Sequence, residues 1–265
     1  MFKVLFPKDK KIFKEIVFLS YPVVLSNISR VLMSIFDVAM VGRLGSEALA
    51  ATGMGGMLVW APMSIALGIR TAVQTISSRR LGQKKKAESG AAFHNGLIMA
   101  TFFAFPVTLI GWCYAEQIVP FFLKDQKTIS LAVDYTSIVF ISLLFSVYSF
   151  VFVGFYTGVE KTKIHMIVTI ISNIINLYLN AALIYGSEGI DLFFREVFPS
   201  LSFLKFAWCW TTFPALGVKG AALATLAASV WMSAHYAFYL FSNDFKTKFK
   251  VFSFSFNKKM MMKQL

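Results

Sequence analysis

Cysteine and histidine are almost missing from this chain: 2 Cys and 3 His occur in 265 residues. That scarcity excludes a disulfide-framed secreted scaffold and leaves no His/Cys cluster at metal-ligand spacing. Acidic residues are also few, 13 Asp and Glu against 26 Lys and Arg, and charged residues make up only 15% of the chain. No Gly-rich phosphate loop stands between a strand and a helix pattern, and no nucleophile–base pair is spaced for catalysis. The sequence therefore implies no enzyme, no metal site and no organic cofactor. What it has instead is apolar length: 57% of residues are hydrophobic and 16% aromatic, above the roughly 45–50% apolar share of a soluble domain.

The net charge of +13 would suit nucleic acid, but its distribution argues against that partner. Basic residues gather in alternate short loops. Lys8, Lys10, Lys11 and Lys14 precede the first apolar segment, Arg79 to Lys86 follow the second, Lys161 and Lys163 the fourth, and Lys246 to Lys263 the sixth. Six segments reach the ~20 residues that a spanning helix needs: Val17–Val41, Thr52–Thr75, Ala91–Tyr114, Ile129–Phe155, Ile164–Tyr185 and Leu216–Phe241. The alternation predicts an all-α, polytopic protein of the cell (inner or plasma) membrane with both termini cytoplasmic. The expected organisation is a cytoplasmic interfacial segment at 1–15, a six-helix lobe at 16–241 and a basic cytoplasmic tail at 242–265. An aromatic-rich outer element, 187–215, is too interrupted by charge and proline to span and reads as an interfacial helix or lid.

Within hydrocarbon a polar residue is costly and marks a site by default. The first segment carries Ser20, Asn27, Arg30, Ser34 and Asp37 at steps of 7, 3, 4 and 3, which puts them on one helical stripe. Arg30 and Asp37 lie about 10.5 Å apart along the axis, so water rather than a direct ion pair would join them. The fifth segment repeats the pattern with amides: Asn173, Asn176 and Asn180 share one face. A solute- or ion-facing role and interhelical packing are both open to that face. In the fourth segment Ser142, Ser146 and Ser149 read as packing residues, and in the sixth Thr225 and Ser229 stand one turn apart. His94 and His165 sit at the basic boundary, and His235 alone in the sixth segment reads as a packing residue.

Several stretches in order resemble the N-terminal six-helix lobe of the multidrug and toxic compound extrusion (MATE) transporters. They are a Pro-containing first helix ending FDVAMVGRLGSEALAA, SSRRLGQKKK after the second, GFYTGVEKTK after the fourth, NIINLYLNAALIYG in the fifth and PALGVKGAALAT opening the sixth. The resemblance implies a cation-coupled antiporter, with H+ or Na+ as the coupling ion and no other cofactor. Asp37 matches the coupling carboxylate, Asn176 and Thr225 match polar partners in the same pocket, and Asn180 stands where some members carry a second Asp. Asn27, Arg30, Ser34 and Asn173 are expected to line the cavity. The implied partners are a small organic solute, membrane lipid, and a second lobe or second copy of the chain; FSFNKKMMMKQL at the end reads as the lead into a seventh helix. Two rivals remain: a lipid-linked or polysaccharide flippase of the same superfamily, raised by Arg30, and a non-transporting membrane partner protein.

Overall fold

The computed structural model describes residues 9–197, 206–253 and 262, and among them every regular element is helical. Six long helices run back and forth: α1 (Lys10–Gly42), α2 (Ser46–Gly82), α3 (Lys86–Cys113), then, after the short α4 (Ala115–Ile118) and a 3-10 turn (Val119–Phe121), α5 (Gln126–Gly158), α6 (Thr162–Val197) and α7 (Val218–Tyr239). A last short helix, α8 (Asn243–Thr247), follows. Five of the long helices, α1, α2, α3, α5 and the Thr162–Leu192 part of α6, are long and apolar enough to cross a membrane. Composition explains why α7, expected as the sixth span, falls short. Its Gly, Ala, Thr and Ser face trades hydropathy for close packing, and it is clasped between α5 and α6.

The helices extend beyond the apolar segments that announced them, because capping and not hydropathy sets their ends. Asp9 accepts a hydrogen bond from the Lys11 N–H at 2.8 Å, so residues 10–15 of the expected interfacial segment are the opening turns of α1; residues 1–8 of it lie outside the described residues. Asp125 caps α5 in the same way, accepting from the Thr128 N–H at 2.8 Å and its hydroxyl at 2.7 Å. Those bonds hold the Asp125 carboxyl below its ordinary pKa. In the fifth segment the expected stop is correct: Gly186 breaks the helix with φ +69°, a backbone region that side chains resist. The orphaned carbonyls of Leu183 and Ile184 are satisfied there by the returning N–H groups of Leu216 and Gly217, at 2.9 and 3.2 Å. Helix resumes beyond Gly186, and the outer segment folds back on it. Trp208 stacks on Tyr178 at 4.9 Å, and the Phe213 N–H donates to the Ser187 hydroxyl at 2.8 Å. Residues 198–205 of the expected outer element lie outside the described residues.

The core sits where α5 passes between α2, α3 and α7. Leu143, Val147, Val151, Phe155 and Tyr156 of α5 are fully buried. Lipid tails are as apolar as leucine, so packing and hydrogen bonds, not exclusion from water, bind one spanning helix to the next. Glycine supplies the packing: a Cβ on Gly154 would lie 2.4 Å from the Arg70 carbonyl oxygen, and one on Gly158 2.7 Å from that of Gln74. Serines supply the hydrogen bonds, as Ser149 meets Ser233 at 2.9 Å and Ser233 donates to the Phe145 carbonyl at 2.6 Å. The basic end is closed from outside the bundle. Phe245, Phe249 and Val251 of the expected tail are buried against Phe93, Phe155 and Tyr156, so residues 243–253 pack onto the lobe; residues 254–261 and 263–265 lie outside the described residues.

Candidate functional site

One long helix is set apart from this core. Helix α1 is joined mainly to α6, and the residues it buries, Pro22, Ser26, Met33 and Val41, make a narrow stripe. The seam is polar. The Asn173 amide donates to the Ser29 hydroxyl at 2.8 Å, the Asn180 amide donates to Asp37 Oδ1 at 2.5 Å, and the Tyr185 hydroxyl donates to the Met40 carbonyl at 2.7 Å. Asn180 Nδ2 also reaches Asn176 Oδ1 at 3.3 Å, which ties two of the three amides of α6 together. At the end near Gly42, Val41, Ala48, Ile184, Val218 and Ala221 form a small apolar cluster that closes the seam.

Two clefts meet at Asp37. One, about 270 Å³, is bordered by Ser34, Asp37, Thr52, Tyr135, Asn180 and Thr225. Its neighbour, about 240 Å³, shares Ser34, Asp37 and Thr225 and adds Arg30, Asn173 and Asn176. Every site residue expected from the sequence except Asn27 therefore lines one of these clefts. Asn27 is exposed and accepts from the Arg30 guanidinium at 2.7 Å. Arg30 thus turns back one helical turn to an amide instead of forward to Asp37. Thr225 spends its hydroxyl proton on the Ala221 carbonyl at 3.0 Å, which leaves its oxygen lone pairs facing the cleft.

The electrostatic centre is the Asp37–Asn180 contact. Asn180 is 2% exposed, and its carbonyl oxygen has no hydrogen-bond partner. A buried acceptor left unpaired costs about 1–3 kcal/mol. The Asn180 side chain thus spends its donor on the carboxylate and keeps its acceptor unused. Sequence reasoning missed Thr52, Tyr135 and Ser172, the last 3% exposed with an unpartnered hydroxyl. Ser172 carried a signal, since it lies four residues before Asn176 on the same face of α6. The histidines take other work: His165 Nδ1 meets the Tyr236 hydroxyl at 2.8 Å, and His94 Nε2 meets the Val251 carbonyl at 2.7 Å.

Long apolar helices packed side by side, with a carboxylate and three amides along the open seam between the parallel α1 and α6, make this a polytopic membrane lobe. The MatE family model matches residues 22–182, and the chain belongs to that family. A probable multidrug resistance protein NorM from Bacillus anthracis is 30% identical over 219 residues, covering 82% of this chain and 43% of the relative. One of the same description from Listeria monocytogenes is 26% identical over 66% of this chain and 39% of its own length. The chain thus spans about two fifths of the curated relatives it matches. Solved structures share the fold. A MOP superfamily transporter from Pyrococcus furiosus superposes with TM-score 0.77 at 21% identity, over 95% of this chain and 50% of that one. A MATE structure in the bent conformation superposes with TM-score 0.73 at 22% identity, over 94% of this chain and 50% of that one.

Proposed function

We propose that the chain acts as the N-terminal lobe of a cation-coupled multidrug antiporter, with Asp37 as the group that loads and releases H+ or Na+. The observation that carries this reading is the 2.5 Å contact between Asp37 and an Asn180 amide whose own oxygen is left without a partner, at the junction of two clefts. An amide can orient to a carboxyl group in either protonation state, because it offers a donor on one side and an acceptor on the other. Asn176, Asn180 and Thr225 would share the ion. Arg30, Ser34 and Asn173 would face the organic solute or water, with Asn27 holding Arg30. Loading Asp37 removes or screens a charge on the seam between α1 and α6, and α1, bound to little else, is the element free to respond.

The relatives' multidrug description and the alternating basic loops support a protein of the cell membrane with both termini cytoplasmic and small organic solutes as cargo. Export would require a second lobe or a second copy, since alternating access in repeat-built transporters rocks one half against the other around a shared site. The test is gradient-driven efflux of a fluorescent organic cation from proteoliposomes. Dimers or a chain joined to a second lobe are expected to export, and Asp37→Asn is expected to abolish the dependence on the gradient. Sustained export by monomers, or gradient-coupled export by the Asp37→Asn protein, would contradict the proposal. A flippase for lipid-linked substrates is the second reading, favoured by Arg30 at the open edge of the smaller cleft. In that case an anionic lipid-linked substrate would compete with the dye, and Arg30→Gln would remove the competition.

A further inference from the structure

Away from the seam, at the basic end of the bundle, four lysines from two distant parts of the chain border one cleft of about 440 Å³: Lys84, Lys85 and Lys86 between α2 and α3, and Lys248 just after α8. Their meeting is built, not a matter of loose side chains. Residues 243–253 are pinned by Phe245 and Phe249, whose rings lie 5.9 and 5.8 Å from Phe155, and by the His94–Val251 bond. Gly90 lets the segment close, for a Cβ there would lie 2.0 Å from the Phe249 carbonyl oxygen. On the other wall, Lys84 holds φ +60° and bonds through its N–H to the Leu81 carbonyl at 2.8 Å, which fixes where the lysine run leaves α2.

Local charge does not balance. Among the described residues Glu88 is the one carboxylate bordering the cleft, and it is already shared by Arg80 at 3.1 Å and Lys85 at 3.2 Å. Asp244 is held by Lys248 at 2.6 Å, and that ammonium keeps its carboxyl below the ordinary pKa. Lys84 and Lys86 have no carboxylate within ion-pairing distance among the described residues. Like charges held together by a packed scaffold repel, and an anion relieves that repulsion. The cleft's volume falls in the range of small-ligand pockets, about 300–1,000 Å³.

We propose that this cleft binds the phosphate headgroup of an anionic membrane lipid, which ties the segment leaving the lobe to the α2–α3 turn. The neighbouring surface selects lipid over free phosphate. Phe241 and Phe252, 57% and 54% exposed, flank the α8 segment that carries Lys248 and pack on each other at 5.2 Å, with Lys246 5.5 Å from one ring and 6.0 Å from the other. Exposed aromatics with a cation above them are what the boundary between acyl chains and headgroups favours. A lipid seated there would place its phosphate among the lysines and its chains along the phenylalanines.

The test places the purified chain in nanodiscs of neutral phosphatidylcholine, titrates in phosphatidylglycerol, and follows both lipid binding by native mass spectrometry and protection of residues 243–253 by hydrogen exchange. Phosphatidylglycerol is expected to bind and to raise protection of that segment. The neutralising pair Lys84→Gln with Lys86→Gln should weaken binding about 25-fold, about 5-fold for each lysine, and remove the added protection. Lys10→Gln with Lys11→Gln, an equal loss of charge at the same end of the bundle, should change neither. An equal loss in both pairs would mean diffuse surface attraction and would overturn the site, as would no binding at all. Millimolar inorganic phosphate reproducing the protection in neutral nanodiscs would overturn the lipid assignment. Circular dichroism confirms that each variant is folded, and Lys248→Gln, on the opposite wall, must lower affinity as well.

Discussion

The two sides of this lobe are built on opposite terms. Around α5, 61% of the most apolar stretch is buried, and the neighbouring helices touch backbone to backbone at glycine; in α1 the corresponding share is 17%, and the contacts that matter are side-chain hydrogen bonds to α6. Glycine contacts allow little displacement, because any shift opens a void or a clash. Hydrogen bonds between short polar side chains can break and re-form with water from an open cleft at small net cost. On the proposed reading the difference separates a frame from a strut that can move, and Asp37 sits in the contact that joins α1 to α6.

The contrast is broken most severely by attacking the frame. Gly154→Val would push a side chain into the Arg70 carbonyl and force α2 and α5 apart. It should cost about 3 kcal/mol, read as a large fall in the detergent unfolding temperature. Attacking the strut should cost less. Asn173→Leu removes one hydrogen bond to Ser29, for about 1 kcal/mol or below, and a double-mutant cycle with Ser29→Ala should show the two effects to be coupled. Hydrogen exchange in that variant should rise along α1 while α5 remains protected. The smallest effect belongs to a cap outside the membrane. Asp125→Ala removes the bonds to Thr128 and should lower the unfolding temperature slightly at pH 7. Because folding depresses the Asp125 pKa, its contribution is present above the ordinary value of 3.8 and fades as pH falls below it. The wild-type and Asp125→Ala transitions should therefore converge in strong acid.

Much of the frame and the seam could be read from the chain. Spans were legible because lipid imposes length and hydropathy, and the α6 stop because Gly186 follows the apolar stretch AALIY and opens the polar SEG. Asn173, Asn176 and Asn180 were legible as one face because helical periodicity is local, and Asp37 because charge is rare in hydrocarbon. What escaped depends on the third dimension. Arg30 reaches Asn27 rather than the cleft's centre, a rotamer choice that spacing does not encode. Tyr135 and Thr52 come to the site from other helices with no pattern of their own. Phe245 and Phe249 stand among lysines, so the stretch looks like a tail; only the pocket made by Phe93, Phe155 and Tyr156 gives them somewhere to bury. Helix α1 starts seven residues before its apolar segment because Asp9 caps it in polar sequence where hydropathy is silent.

The central claim is that Asp37 senses the cation and α1 answers. Hydrogen exchange of α1 and α6 across a pH and sodium series, on the wild type and on Asp37→Asn, tests it directly, since asparagine keeps the side chain's shape and one acceptor for the Asn180 amide but carries no charge. The wild type is expected to change protection along the Asp37–Asn180 seam as the cation varies, with α5 unmoved, and the folded Asp37→Asn protein to give one constant pattern. The same cation response in wild type and variant would contradict the account, and so would a variant that simply unfolds, which would make Asp37 a tie between helices.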